Sequence, residues 1–296
     1  MMNALFNLVF LISFGTILLS CSEGKIDQNK EVQVCNHSDF QLPELPHSVS
    51  FCGKEYILDN FEIRERLDKE IIVNTYYHSS TIQSLKRINR YFPKIEKTLK
   101  ANKVPEDFKY LCLIESNLMQ AVSPSGAKGF WQFMPATAKE YGLIINDEID
   151  ERLNIEKSTM AACKYLLDAN SKFDDWMLTA AAYNRGVNGI MKDLEEQQVN
   201  GYFDLHLNNE TSRYVFRILA LKLICENPEM YGFSIKESTL YAPIKTRTVE
   251  VNNPIENLSQ WAIDNGTTYR MVKVLNPWII GSKLSAKNYR ISLPIE

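Results

Sequence analysis

With 296 residues, 45% hydrophobic and 23% charged, the chain is long enough for one large domain and a small one. A net charge of −3 excludes the basic surplus of a general nucleic-acid binder. The four histidines (His37, His47, His78 and His206) are scattered, and no Walker loop, dinucleotide fingerprint or zinc spacing occurs, so neither a metal site nor a cofactor is expected.

Residues 1–20 read as a targeting segment. Leu5 to Leu19 carries no charged residue and is too short to span a bilayer comfortably. The run ends in Leu18-Leu19-Ser20-Cys21, which resembles a bacterial lipobox with Cys21 as the lipidated residue, although no Lys or Arg precedes it. A short buried helix is the alternative, and it fits poorly before a polar tail. Residues 21–60 contain Pro43, Pro46 and Gly53 and show no sustained periodicity, so they read as a polar tether and lead-in. Cys35 and Cys52 lie there and could pair in an oxidising compartment. Cys112, Cys163 and Cys225 fall in apolar helical patterns and read as small buried residues.

From Phe61 the pattern turns helical, with Phe61, Leu67, Ile71 and Ile72 set among charges. A second helical stretch runs from Ser80 to Ala101, broken or kinked near Pro93. After Pro105-Glu106-Asp107, which suits a helix start, Phe108 to Ile114 is apolar nearly all round. Such a helix is buried, and it places a carboxylate, Glu115, at its far end. Desolvation there raises the carboxyl pKa toward the range useful for a general acid. Taken alone, a helix-terminal Glu reaching solvent is the better reading.

The residues after Glu115 change the balance. Ser123 to Gly129 is turn chemistry with two glycines, and Phe130-Trp131-Gln132-Phe133 sets aromatics around one amide, as a sugar ring with polar edges requires. Ordinary core is the alternative for the aromatics. A helix is expected over Ala136–Tyr141, ended by Gly142, and then a polar connection over Ile144–Arg152. Another helix begins at Ser158, and a third opens at Asp174-Asp175-Trp176 and ends at Arg185-Gly186. A last long helix starts at Glu210-Thr211-Ser212-Arg213-Tyr214-Val215 and stops at Asn227-Pro228. Beyond it, residues 233–245 read as a linker. Thr246–Val251 alternates as a strand, Leu258–Asp264 and Tyr269–Leu275 read as short helices, and Tyr289–Pro294 closes as a strand.

Glu115-Ser116, Ser123-x-x-Gly126-Ala127-x-Gly129-Phe130-Trp131-Gln132 and Pro135-x-Thr137-Ala138 come one after another in the order of the first motif of the lytic transglycosylase family, which has a goose-type lysozyme-like fold. Phe130 stands where that family usually has Leu. Asp150-Glu151-Arg152, the Ser158 to Leu166 stretch, Ala181-Ala182-Tyr183-Asn184-x-Gly186 and Glu210-Thr211-x-x-Tyr214-Val215 resemble its later motifs. The strand–helix–helix–strand order of residues 246–296 is similar to a lysin motif (LysM), a glycan-binding module, with Asn252-Asn253-Pro254 in place of the usual Gly-Asp.

The resemblance implies a mainly α chain: a lysozyme-like helical catalytic domain (SLT type) over residues 61–232 and a small βααβ LysM-like module. It implies cleavage of the β-1,4 bond between N-acetylmuramic acid and N-acetylglucosamine in peptidoglycan, leaving 1,6-anhydromuramic acid ends. Glu115 would be general acid and then base, with Ser123, Gln132, Tyr183, Asn184 and Glu210 binding or orienting the sugar. The expected partners are peptidoglycan glycan strands, a membrane through the lipid on Cys21, and cell-wall synthesis proteins. The expected place is the periplasmic face of a bacterial membrane, the outer membrane favoured. Two other readings stay open: a goose-type lysozyme-like hydrolase, and a non-catalytic wall-binding lipoprotein. The intact Glu115, Gln132 and Tyr183-Asn184 set weighs against the second of these.

Overall fold

Ten α-helices and two small two-stranded antiparallel sheets are formed by residues 42–285 and 288–295, which are those the computed structural model describes. Cys21, the apolar run before it and Cys35 lie outside the described residues. Among the described residues no helix is long and apolar enough to cross a membrane.

The first finding is a hairpin inside the stretch read as tether. β1 (Ser48–Phe51) pairs antiparallel with β2 (Lys54–Ile57), and the two turn residues, Cys52 (φ 52°) and Gly53 (φ 80°), both take positive φ, as a tight hairpin turn requires. Val49 and Phe51 point into the core, where Phe51 meets Phe108 edge-on at 5.8 Å. Two four-residue strands are too short to show a period in sequence.

α1 (Phe61–Tyr76) is capped by the Asn60 side chain, which accepts from the Glu62 N–H. α2 (His78–Ala101) runs through Pro93 without a break, so of the two expectations at the proline the broken helix does not hold. Buried residues on both sides of the proline, Leu85 before it and Ile95 and Leu99 after, hold the two halves against one core. α3 (Phe108–Ser116) is buried on nearly every face, as its composition requires, and packs against α2 and α8 (Asn209–Glu226). α4 (Pro135–Glu140) is short. α5 (Ile155–Phe173) begins before Ser158, because the Asn154 side chain caps it by accepting from the Lys157 N–H. Asp174 ends α5 in the left-handed region, and Asp175 caps α6 (Trp176–Arg185) by accepting from the Met177 and Leu178 N–H groups. α7 (Val187–Gln197) starts directly after Gly186. α8 lies along α1, and its start is capped by Asn208.

The polar connection before α5 is not solvated. Asp150, Glu151 and Arg152 are buried, and charges are tolerated there because they are paired. The linker is strapped down as well: along α2, the Tyr241 N–H donates to Lys86 O at 3.1 Å and Arg90 Nε to Ala242 O at 3.0 Å.

The last elements form where the sequence places them: β3 (Thr246–Val251), α9 (Leu258–Asp264), α10 (Tyr269–Leu275) and β4 (Tyr289–Pro294). β3 and β4 pair antiparallel, Thr246 opposite Pro294 and Val251 opposite Tyr289. Asn276 is buried and ties α10 to β4, donating to Val272 O and Ser292 O and accepting from the Ser292 N–H. The module's core of Val251, Leu258, Ala262, Val272, Leu284, Ile291 and Leu293 also takes in Ile149 and Leu153 from the segment before α5. The module is therefore not isolated from the helical part.

Candidate active site

The buried start of α3 delivers Glu115 to a helix end that is held from three sides. Asn117 (φ 53°) and Leu118 (φ 52°) are both left-handed, so the chain leaves the helix sharply. The Asn117 amide accepts from the Ser84 hydroxyl and donates to Ser80 Oγ at 3.2 Å, both on α2. Ser116 Oγ donates to Phe130 O at 2.9 Å, which fastens the glycine-rich loop to the same helix end.

Glu115 is half-buried, and three residues of one α8 face bear on it. The Tyr214 hydroxyl donates to Glu115 Oε1. Arg217 Nη2 donates to Ile114 O at 3.3 Å. Glu210, Tyr214 and Arg217 recur at helical spacing, so they share a stripe. Burial pushes the Glu115 carboxyl above its ordinary range, the Tyr214 hydrogen bond and the Arg217 charge pull it down, and the Glu210 charge adds to the rise; the net shift is upward. A carboxyl so placed keeps its proton to higher pH than an exposed one, which is what a general acid needs. Tyr214→Phe removes a hydrogen bond that favours the ionised form, so the alkaline limb of any Glu115-dependent activity should move to higher pH. A pH–rate profile of the purified variant checks this.

The loop fastened to the end of α3 through Ser116 is built by its own side chains. The Ala127 N–H donates to Ser123 Oγ at 2.9 Å and the Gly126 N–H to Ser123 O at 2.9 Å, closing the turn. Gln132 has φ 47°, and its Nε2 donates to Gly129 O at 2.7 Å and Ala121 O at 3.2 Å. Arg152 supports the loop from behind: Nη1 donates to Gly126 O at 2.8 Å and Phe133 O at 3.1 Å, while Nε and Nη2 hold Asp150 at 2.9 and 2.7 Å. Burial alone would push the Asp150 carboxyl up, but hydrogen bonds and charge from Arg152 and Lys128 outweigh it and hold it below the usual range. The pair therefore stays ionic near neutrality.

The aromatics beside Gln132 do not form a sugar platform. Phe130, Trp131 and Phe133 are at most 3% exposed, and Trp131 Nε1 donates to Thr159 Oγ1 at 2.9 Å. They are core, and the loop hangs from them. Tyr183, half-buried on α6, donates its hydroxyl to Trp131 O at 2.7 Å; the Glu115 charge bears on it and, after burial, helps raise its pKa. Asn184 Nδ2 donates to Glu210 Oε1 at 3.1 Å, and its Oδ1 accepts from Thr211 Oγ1 at 2.8 Å, so Asn184 and Glu210 form one exposed polar unit at the start of α8. Cys112 is fully buried, with its thiol pushed well up by burial, and serves packing. Among the described residues no group of three or more His, Cys, Asp or Glu could hold a metal ion.

All six proposed site residues other than Cys21 thus lie on α3, the glycine-rich loop, α6 or the start of α8. Tyr214 and the Asp150–Arg152 pair are read from sequence only as parts of family motifs, with no role at the site, and Arg217 is not singled out. For Tyr214 a signal existed: it stands four positions after Glu210, on the same helical face.

Residues 92–204 match the model of the transglycosylase SLT domain, and residues 247–296 match that of the soluble lytic transglycosylase C-terminal LysM-like domain. Among curated proteins the chain is similar to membrane-bound lytic murein transglycosylase D of Escherichia coli (strain K12), 31% identical over 246 residues, 80% of this chain and 53% of that protein. It is also similar to peptidoglycan transglycosylase gp16 of Escherichia phage T7, 37% identical over 101 residues, 33% of this chain and 8% of that protein. The chain spans about half the length of the first of these. Among solved structures, an inactive mutant of lytic transglycosylase Slt from Pseudomonas aeruginosa has a TM-score of 0.39 at 20% identity, covering 51% of this chain and 26% of that one. Glu115, the loop and the Tyr183-Asn184 helix all fall within the first matched span, and β3 from Arg247 onward, α9, α10 and β4 within the second: the chain carries a transglycosylase SLT domain followed by a LysM-like domain.

Proposed function

We propose that the chain is a peptidoglycan lytic transglycosylase, cleaving the β-1,4 bond between N-acetylmuramic acid and N-acetylglucosamine. The observation that carries this is a single carboxyl, Glu115, whose pKa burial raises and which accepts from the Tyr214 hydroxyl at the helix end where the glycine-rich loop is fastened. Glu115 gives its proton to the departing glycosidic oxygen, and the substrate's own acetamido group stabilises the charge left at C1. As a carboxylate it then takes the proton of the muramic acid C6 hydroxyl, whose oxygen attacks C1 and closes the 1,6-anhydro ring. Glu115 ends protonated again, and no water is consumed.

A lysozyme-like hydrolase needs a second carboxylate to activate water. Glu210 is the acid nearest that role, but its carboxylate is held by Asn184 and its charge acts on Glu115 from an exposed position. Glu210 and Asn184 orient the site on this reading, and Ser123 and Gln132 shape the loop that holds the sugar. The Escherichia coli relative is named as membrane-bound, which agrees with attachment through lipid on Cys21 at the periplasmic face of a membrane. Mass spectrometry of a peptidoglycan digest tests the assignment: the glycan ends should be 1,6-anhydromuramic acid, one water lighter than reducing ends. A digest dominated by reducing ends would replace it with the hydrolase.

A further inference from the structure

The segment from Asn146 to Leu153 touches both the glycine-rich loop and the C-terminal module. Toward the loop, Arg152 donates to Gly126 O and Phe133 O, and its own carbonyl lies so close to Gly129 that a Cβ there would sit 2.0 Å from the oxygen. Toward the module, the Asp150 N–H donates to Trp278 O at 2.8 Å, and the Ile280 and Gly281 N–H groups both donate to Glu148 O at 2.9 Å. The Glu148 carboxylate accepts from the Ser285 N–H at 2.7 Å and the Ser285 hydroxyl at 2.5 Å, with Lys283 Nζ at 3.8 Å. Ile149 bridges to Ile279 and is buried in the module's core with Leu153 beside it. Asp150 thus belongs to both sides: the module holds its backbone, and Arg152 and Lys128 hold its carboxylate.

We infer that the C-terminal module is part of the catalytic scaffold: docked through Glu148 and Ile149, it fixes the Asp150–Arg152 pair and through it the conformation of the Gly126–Phe133 loop. Glu148 is then a positioning residue, acting on the sugar site only through Asp150 and Arg152. The loop needs such support. Gln132, a non-glycine residue, is held there at φ 47°, and a strained backbone persists only where its surroundings over-determine it. A module that served wall affinity alone would need no buried contact with the segment that braces the loop. The activity arm of the test rests on the transglycosylase reading; the backbone arm does not.

The test uses the full chain and two variants away from the sugar site. Glu148→Ala deletes the acceptor for Ser285, and Gly281→Val wedges the docked surfaces apart, since even a Cβ at Gly281 would meet Glu148 Cα at 3.0 Å. Both are expected to speed amide hydrogen exchange at residues 126–133 about tenfold or more, with the amides of α3 and α8 unchanged. Turnover of soluble glycan fragments should fall several-fold while the pH limb set by Glu115 stays in place, because Tyr214 and Arg217 lie off the loop. Glu148→Gln, which keeps an acceptor for Ser285, should restore most of both. If one variant fails to fold, the other decides. Unchanged loop exchange, or faster loop exchange with undiminished turnover, overturns the inference. A parent protein with no turnover at all would overturn the transglycosylase reading instead, and loop exchange would still decide the scaffold role.

Discussion

Glu115→Gln should lower turnover of purified peptidoglycan by roughly a hundred- to ten-thousandfold, the usual contribution of one positioned proton donor, and leave the fold intact. The amide keeps the volume at the end of α3 and can still accept from the Tyr214 hydroxyl, but it has no proton to transfer. Stability should move the opposite way. The Glu115 carboxyl is raised in the folded protein, chiefly by burial, so its contribution is complete below the unfolded carboxyl range and is lost as pH rises through the raised folded value. Gln never ionises and escapes that loss. The variant should therefore melt at the same temperature as the parent in acid and at an equal or higher temperature at neutral pH. Thermal unfolding at two pH values, run beside the activity assay, checks both halves. Comparable turnover by variant and parent would remove Glu115 from the mechanism.

Gly129→Ala should be the most damaging small substitution in the loop. Gly129 has φ 81°, where an L-residue costs about 1–2 kcal/mol. Its Cβ would lie 2.0 Å from Arg152 O and 2.9 Å from the attached carbon, and these are backbone atoms that cannot swing aside. Overpacking of this kind costs about a further 1–3 kcal/mol and displaces either the loop or Arg152. Gly126→Ala is the control: its φ is 87°, but nothing lies within 4 Å of an added Cβ, so only the backbone cost applies. Denaturant midpoints should fall clearly more for Gly129→Ala, with activity declining in parallel. Equal losses in the two variants would mean that the close approach to Arg152 is not retained in solution.

How much can be read from the sequence depends on how locally each feature is determined. α3 and its terminal Glu115 are legible because an all-apolar run flanked by Pro105 and acids permits little else. The four elements of the C-terminal module are legible because each has a short period, and both helices have a cap of their own: Asn257 accepts from the Ser259 and Gln260 N–H groups, and Thr268 from the Met271 N–H. The β1–β2 hairpin is not, since its four-residue strands are fixed by the core they meet. Phe130, Trp131 and Phe133 carry the same letters whether they stack on a sugar or fill a core, and only their surroundings separate the two. Asp150, Glu151 and Arg152 read only as part of a polar connection, because a charge pattern does not reveal its partners. The Tyr214–Glu115 contact joins residues 99 positions apart, and no local pattern encodes such a pair.

On the proposed mechanism Glu115 serves an intramolecular attack, and water does not enter the bond being broken. Digesting peptidoglycan in heavy-oxygen water and weighing the new glycan ends tests it most directly. The ends should be 1,6-anhydro and carry no heavy oxygen, since the oxygen that reaches C1 comes from the substrate's own C6 hydroxyl. One heavy oxygen at each new muramic acid end would contradict it and make the protein a hydrolase.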